Sequence, residues 1–591
     1  MIICMQNQKI IKMKHNLFQD MGINQTLQVT PCTTLLEEII WGFISILIGA
    51  LFSLVTVGDL IFNSKSVNFI TGDMVQHFIG WHYYRYDPWM LPITHISSLV
   101  YPVGTNLIYS DSIPILSIIL KLFSPLLPPV FVWHGLVAII NLSLLFYSGS
   151  LFFRIMTKSK LLGFIGGMFL LLSAPAIYRL IAHYSLTSQW LLIFNLLLLF
   201  QRNENVKQNS VWQVFLIFFS CGIHPYLAIM NLGLSFGLAY KLSFIRIKND
   251  IKMRFSARYF IWLTIIYVIT FLCAAYLFGW FVVGGKSDAF GYGYYSANVL
   301  SLFNPEFGAL VIPNLPIGQY QYEGYSYLGL GIILPLIFLC LFDYKRVYLI
   351  LLKKEMYLFY VLVIAFTMIA FSNILQIGNI VIRLPYHGKV FDIFRSSGRF
   401  IWVLYYIIIL SVILGFYNKF AKKKYGVILL IGFLFLQYVD LKPLLNLVIR
   451  FHSSNQIDTA VWNSDLKSKF WYTLNESGYK HMVILETHPG DVDRLSGWWG
   501  DHSGYPAIYK FALLASLSQI TIDDMHLARR ATLQDQVVFK INQDFSNGIL
   551  ADSTIYIVSP QIYILLNQEK KNTFCTTIDG YNICAKNKIK V

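Results

Sequence analysis

Apolar residues recur along this chain in long runs separated by short polar interruptions, over roughly its first three quarters. A helix needs ~20 apolar residues to cross a bilayer. Eleven runs qualify as predicted spans, at 38–57, 129–153, 161–177, 187–201, 211–222, 224–240, 258–282, 327–342, 356–373, 400–417 and 426–443. Several are short, so they extend into their loops or are broken around a cavity. From about 446 the pattern changes. Apolar residues shorten to strand-sized runs, HMVILET (481–487), DQVVFKI (535–541) and STIYIVS (553–559), which alternate with helical stretches such as AIYKFALLASLS (507–518). This pattern predicts a polytopic α-helical membrane protein with a C-terminal α/β or α+β domain. The predicted divisions are an N-terminal segment 1–37, a transmembrane domain 38–445 and a soluble domain 446–591.

Composition agrees with the pattern. Of 591 residues 13% are charged, about half the share of a soluble chain. The net charge of +16 does not point to nucleic acid, because the basic residues form small clusters between apolar runs. Arg154, Lys158 and Lys160 form one cluster, and Lys241, Arg246, Lys248, Lys252, Arg254 and Arg258 another. The first long loop, about 58–128, instead carries Asp59, Asp73, Asp87 and Asp111. Under the positive-inside rule the amino terminus is cytoplasmic, and the odd number of spans places the tail outside. Lys9, Lys12 and Lys14 precede no apolar core with a small-residue cleavage site, so no cleavable leader is expected. Residues 374–399 break the rule, with Arg383, Lys389, Arg395 and Arg399 on the outer side. Two readings of Arg395 and Arg399 stand side by side: they grip a phosphate, or they snorkel to lipid headgroups.

The first outer loop holds the densest chemistry. TGDMVQHFIGWHYYRYDPW (71–89) reads as a helix capped by Asp73, with Gln76 completing a capping box and the stop near Asp87-Pro88. His77 lies one turn above Asp73, so an acid and an imidazole share a face. The pair suits a general base with its orienting partner, or part of a metal site. Trp81, Tyr83, Tyr84, Tyr86 and Trp89 read as interfacial anchors. Asp111 precedes Ser112, Ile113 and Pro114 and reads as the cap of a further helix of about 14 residues. His183, His224 and Glu323 fall on the same predicted side, the two histidines with the ordinary alternative of a satisfied structural residue.

Near the end stands FCTTIDGYNICA. Asp579-Gly580 is a two-residue hairpin turn. Counting outward pairs Ile578 with Tyr581, Thr577 with Asn582, Thr576 with Ile583, and Cys575 with Cys584. The cysteines meet at a position of close α-carbon approach, which suits a disulfide in an oxidising compartment.

Taken in order, TGDMVQHFIGWHYYR, YPVGTNLIYSDSIP, YEGYSYLGLG and FRSSGRFIW resemble a group of bacterial integral membrane proteins similar to the GT-C superfamily of glycosyltransferases, over about residues 38–443. The resemblance implies a core of about 11 transmembrane helices in the bacterial cytoplasmic membrane. It also implies a polyprenyl-phosphate-linked sugar donor and an extracytoplasmic acceptor. Asp73 matches the family's catalytic acid, a base or metal ligand, and Asp111 loosely matches the second. His77 is grouped with them. A divalent cation, Mg or Mn, is the implied cofactor. Arg395, Arg399, His183, His224 and Glu323 form the candidate carrier-phosphate and substrate-binding set. GWWGD (497–501) departs from the signature of the oligosaccharyltransferases in that superfamily. Two other functions fit the same architecture: a transporter or flippase for a lipid-linked saccharide, and a non-catalytic envelope assembly factor.

Overall fold

The computed structural model describes residues 35–201, 206–246, 253–281, 291–343, 353–385, 392–420, 424–453, 461–485, 507–525, 527–529, 531, 533–559, 563–564 and 574–589. The amino-terminal lysines, Lys389 and the GWWGD stretch lie outside the described residues.

Among the described residues, five helices are long and apolar enough to cross a membrane: Leu35–Phe62, His134–Thr157, Ala257–Leu277, Lys354–Phe371 and Ser397–Phe420. Tyr425–Asp440 and Lys442–His452, bent by 47° at their junction, make a sixth if counted as one span. The expectation of eleven is corrected accordingly. An apolar run measures composition, whereas helix length depends on where the backbone breaks. The 161–177 run divides into Lys160–Leu171 and Ala174–Arg179, the second with Pro175 in its first turn. Proline lacks the N–H that would continue the first helix. The 327–342 run yields Leu330–Phe342, of 13 residues, with Pro335 inside. Such a helix rises about 20 Å, short of a ~30 Å hydrocarbon core.

Burial sorts the long helices. His134–Thr157 and Ser397–Phe420 are 67% and 61% buried, whereas Leu35–Phe62, Ala257–Leu277 and Lys354–Phe371 are 22–28% buried. The first two are therefore interior elements and the other three form the greasy exterior. Trp190–Phe200 and Pro225–Leu242 pack among them. At one end of the bundle Arg154 makes a two-point contact with Glu38, at 2.8 and 3.0 Å. The candidate residues gather at the other end, around the starts of the helices that begin at Asp73, Pro225 and Trp402.

The C-terminal region forms a five-stranded mixed sheet, in the order Phe574–Ile578, Tyr581–Ala585, Thr554–Val558, His481–Leu485, Thr521–Ile522. The first three are antiparallel, and His481–Leu485 runs parallel to both its neighbours. The 535–541 run is not a strand but part of the helix Gln534–Ser546. Its buried residues Val538 and Phe545, seven apart, follow the helical repeat, which a seven-residue window hides. The terminal hairpin has the predicted register throughout, and Cys575 and Cys584 are joined, with α-carbons 4.1 Å apart. Asp579 and Gly580 both have positive φ, +48° and +82°, as this turn requires.

This sheet is docked on the first long loop. Leu99 bridges Ile522 in parallel, and Ile522 exchanges backbone hydrogen bonds with Ser98 and Tyr101 at 3.2 and 2.8 Å. The Asp73–Tyr86 helix is consequently enclosed rather than interfacial. Trp81, Tyr83 and Tyr84 are buried. The Tyr83 hydroxyl donates to the Ile520 carbonyl at 3.1 Å, and His82 Nδ1 lies 2.6 Å from Ser516 Oγ. Only Tyr86 and Trp89 of the five aromatics are exposed, so the anchor reading survives for those two alone.

Candidate functional site

A cavity of about 510 Å³ opens at the end of the bundle beneath the C-terminal domain, with Asp73, His77, Asp111, His183, His224, Arg395 and Arg399 all in its lining. These residues come from five separate segments. Glu323, predicted with them, is not in the lining.

The first segment is the Asp73–Tyr86 helix. Its cap is Gly72, at φ +54°, not Asp73, and no side chain caps the first turn. A residue with a β-carbon would be strained there. The capping-box expectation fails, and Gln76 instead donates to the Tyr109 carbonyl at 3.3 Å. Asp73, released from capping, reaches His183, its Oδ2 lying 3.5 Å from Nε2. Its side chain is 46% exposed. The expected partnership of Asp73 with His77 is likewise replaced, because His77 Nε2 faces Asp111 Oδ2 at 3.4 Å.

Asp111 is the hub. Its expected role as a helix cap is not what the backbone provides, since the following helix, Pro114–Leu122, starts after Ile113 and is nine residues long. Asp111 and Ile113 both have positive φ, +53° and +48°, an uncommon conformation for a non-glycine residue and a bulky one. The serines around Asp111 hold this turn in place. Ser112 Oγ donates to the His77 carbonyl at 2.8 Å, and Ser117 Oγ to the Ser112 carbonyl at 2.6 Å. Gly80 makes the seat: a β-carbon there would stand 2.0 Å from Ser110 Oγ and 2.5 Å from Ser112 Oγ.

So placed, the Asp111 carboxylate accepts from Ser185 Oγ at 2.7 Å and faces His224 Nε2 at 3.9 Å as well as His77. His224 Nδ1 accepts the Tyr226 backbone N–H at 3.1 Å. The proton of the neutral ring is therefore on Nε2, toward Asp111. Burial alone would raise the Asp111 pKa, but His224, His77 and Ser185 together hold it well below the usual range. Burial depresses the two outer imidazoles, His183 to about 4 and His224 to about 3, so both are neutral at physiological pH.

Glu323 performs a different task. Its Oε2 receives Arg179 Nη2 at 2.7 Å and Arg399 Nε at 2.8 Å. Burial opposes ionisation, but the two guanidinium groups hold the carboxyl well below its ordinary value. Glu323, predicted to bind substrate, instead pairs with both arginines, so Arg399 reaches the cavity already engaged in an ion pair, one carboxylate serving two guanidinium groups. At nearby Glu306 the pull of Arg179 is outweighed, and burial pushes the carboxyl up to about 8.

Arg395 is exposed and Arg529 partly buried. Among the described residues, neither has a carboxylate within 4 Å. Arg529, Arg179 and Ser185 were not singled out in the sequence. Arg529 lies in the C-terminal domain, in the unremarkable stretch HLARRAT, and only the docking of that domain brings it to the cavity.

His77, Asp111 and His183 each offer a ligand atom within 4.8 Å of the others. Asp73, the metal ligand expected from the sequence, is outside this set and touches it through His183. Two imidazoles and one carboxylate suit Mn better than Mg, which prefers oxygen ligands. The implied cation therefore fits these residues if it is Mn or a similar transition metal.

Residues 46–442 match the family described as a domain of unknown function (DUF6311), and residues 470–586 match the DUF6311 C-terminal domain. No curated protein matches the chain significantly.

Proposed function

The chain belongs to the DUF6311 family, and from that premise we propose that it is a membrane glycosyltransferase of the GT-C kind, moving a sugar from a polyprenyl-phosphate carrier to an extracytoplasmic acceptor. The observation that carries this reading is the convergence of two carboxylates, three imidazoles and the guanidinium groups on one cavity at the end of an apolar bundle. The basic clusters at the opposite helix ends support a cytoplasmic amino terminus and an outward cavity.

The two carboxylates divide the work. Asp111 is saturated with donors and held ionised, which makes it a poor base and a good anchor. Asp73 is half exposed with a single imidazole 3.5 Å away, so it is the carboxylate available to an acceptor hydroxyl. It takes the hydroxyl proton as the oxygen attacks the anomeric carbon. The bond from that carbon to the carrier phosphate breaks, and direct displacement inverts the centre. His183 orients Asp73, and Arg395 balances the charge developing on the departing phosphate. A cation held by His77, Asp111 and His183 would supply Lewis-acid stabilisation to the same leaving group. Phe271, Trp280 and Phe281 give the cavity an apolar side, which suits the first isoprene units.

The test is sugar transfer by purified protein in proteoliposomes supplied with labelled polyprenyl-phosphate sugars. Asp73→Asn is expected to lower turnover by roughly 100-fold or more, the usual scale of general-base catalysis. Near-normal turnover would exclude Asp73 as the base. Wild-type protein inert toward every lipid-linked sugar, but able to move one across the bilayer, would establish a transporter instead.

A further inference from the structure

The carboxylate and imidazole groups of the cavity all come from residues before 225, in the membrane domain, whereas its cations come from two different parts of the fold. Arg395 stands beside the short helical turn Asp392–Phe394. Arg529 arrives from the C-terminal domain. The two segments meet where Arg529 Nη2 donates to the Ile393 carbonyl at 2.5 Å, two residues from Arg395, and both arginines line the cavity.

The neighbouring contacts make that entry specific. The Ala528 N–H donates to the Tyr109 carbonyl at 2.9 Å. The Tyr109 hydroxyl in turn donates to the Trp280 carbonyl at 2.7 Å. The step from 528 to 529 is thus tied to the wall next to Asp111, and through it to the apolar side. A guanidinium has several N–H donors in a fixed fork, and the Ile393 carbonyl occupies one nitrogen of Arg529. Arg399 differs from this pair, since its guanidinium is already bonded to the Glu323 carboxylate. Arg395 and Arg529 bring two positive charges to the lining of one cavity, neither with a carboxylate within 4 Å among the described residues, an arrangement that an anion between them would relieve.

We propose that Arg529 is a phosphate-binding residue, completing with Arg395 an anion subsite that forms only when the C-terminal domain is docked. This rests on the carrier-phosphate reading above and goes beyond it, because it gives the soluble domain a direct part in holding the donor.

The experiment uses the full chain in lipid nanodiscs and two probes, a short polyprenyl monophosphate and the uncharged polyprenol of the same length. Affinity is measured for both. Wild type is expected to prefer the phosphate. Arg529→Gln is expected to lose roughly tenfold or more of the phosphate affinity, the scale of a hydrogen bond to a charged group, with polyprenol affinity unchanged. Arg529→Lys is expected to fall between, keeping the charge without the fork. Arg450→Gln, on an exposed face outside the cavity, controls for net charge and is expected to change neither. Undiminished phosphate affinity in Arg529→Gln overturns the inference and leaves the carrier reading intact. An equal loss for both probes also overturns it, because Arg529 would then serve only to dock the domain. Equal affinity of wild type for both probes removes the carrier reading itself.

Discussion

Asp111 and Glu323 are both carboxylates withdrawn from water in the same half of the molecule, yet their surroundings differ in kind. Glu323 is held by two guanidinium groups, which remain charged at any accessible pH. Asp111 is held by a serine and two histidines, whose contribution depends on which nitrogen carries a proton. A carboxylate balanced by permanent charge is part of the framework. One surrounded by exchangeable donors can trade them for a cation or a substrate. That difference separates structural ionisable residues from chemical ones here better than burial or position does.

The most forceful way to break the comparison is to neutralise each acid in turn. Glu323→Gln strands two buried guanidinium groups and is expected to destabilise the protein by about 3–5 kcal/mol. Asp111→Asn keeps a hydrogen-bond acceptor for Ser185 and is expected to lose about 1–2 kcal/mol while abolishing Mn binding. Unfolding in mild detergent, with metal binding followed in parallel, checks both. Equal stability losses would erase the distinction.

A pH titration of Mn binding sharpens it further. The imidazole of His183, depressed to about 4, stays neutral and able to ligate as pH falls through the usual histidine range. Binding is expected to hold from pH 8 to about 5, to fall about twofold by pH 4 and to reach a tenfold loss only about one unit lower, as His183 takes up a proton. A midpoint near 6.5 would show that His183 does not set the pH limit of binding.

The effect expected to fall least on metal binding is at Gly80. Gly80→Ala puts a methyl group against Ser110 and Ser112 and is expected to cost about 1–3 kcal/mol, with weaker Mn binding because Asp111 moves. Glu323 should be indifferent to this change. Unaltered metal affinity would show that the serine turn does not position Asp111.

How far the sequence could be read follows from the range of each interaction. The terminal hairpin was legible residue by residue, because Asp579-Gly580 sets the register locally and the cysteines follow by counting. The cavity residues were legible as a set, since chain polarity alone assigns Asp73, Asp111, His183, His224 and Arg395 to one end. Their pairings were not. The helical repeat suggested Asp73 with His77, but each turned to a partner from a distant segment, His183 and Asp111. The seat for Asp111 depends on Gly80, whose missing β-carbon has no signature in a helix of mixed residues. Span count failed for a related reason, because hydrophobicity does not report that the 161–177 run breaks before Pro175, or that the 327–342 run yields only the 13-residue helix Leu330–Phe342. Arg529 had no signal at all, since nothing local distinguishes it from Arg530 beside it.

The bond from Tyr83 to the Ile520 carbonyl joins residues 437 positions apart, and the Leu99–Ile522 bridge is of the same kind. During biosynthesis the first loop leaves the ribosome long before its partner strand exists. The cavity end of the bundle therefore stays unfinished while the preceding helices are made, and closes only after the last portion of the chain has been translated. A chain cut before Ile520 would lack both contacts, so the order of synthesis makes the cover of this cavity the last part to be completed.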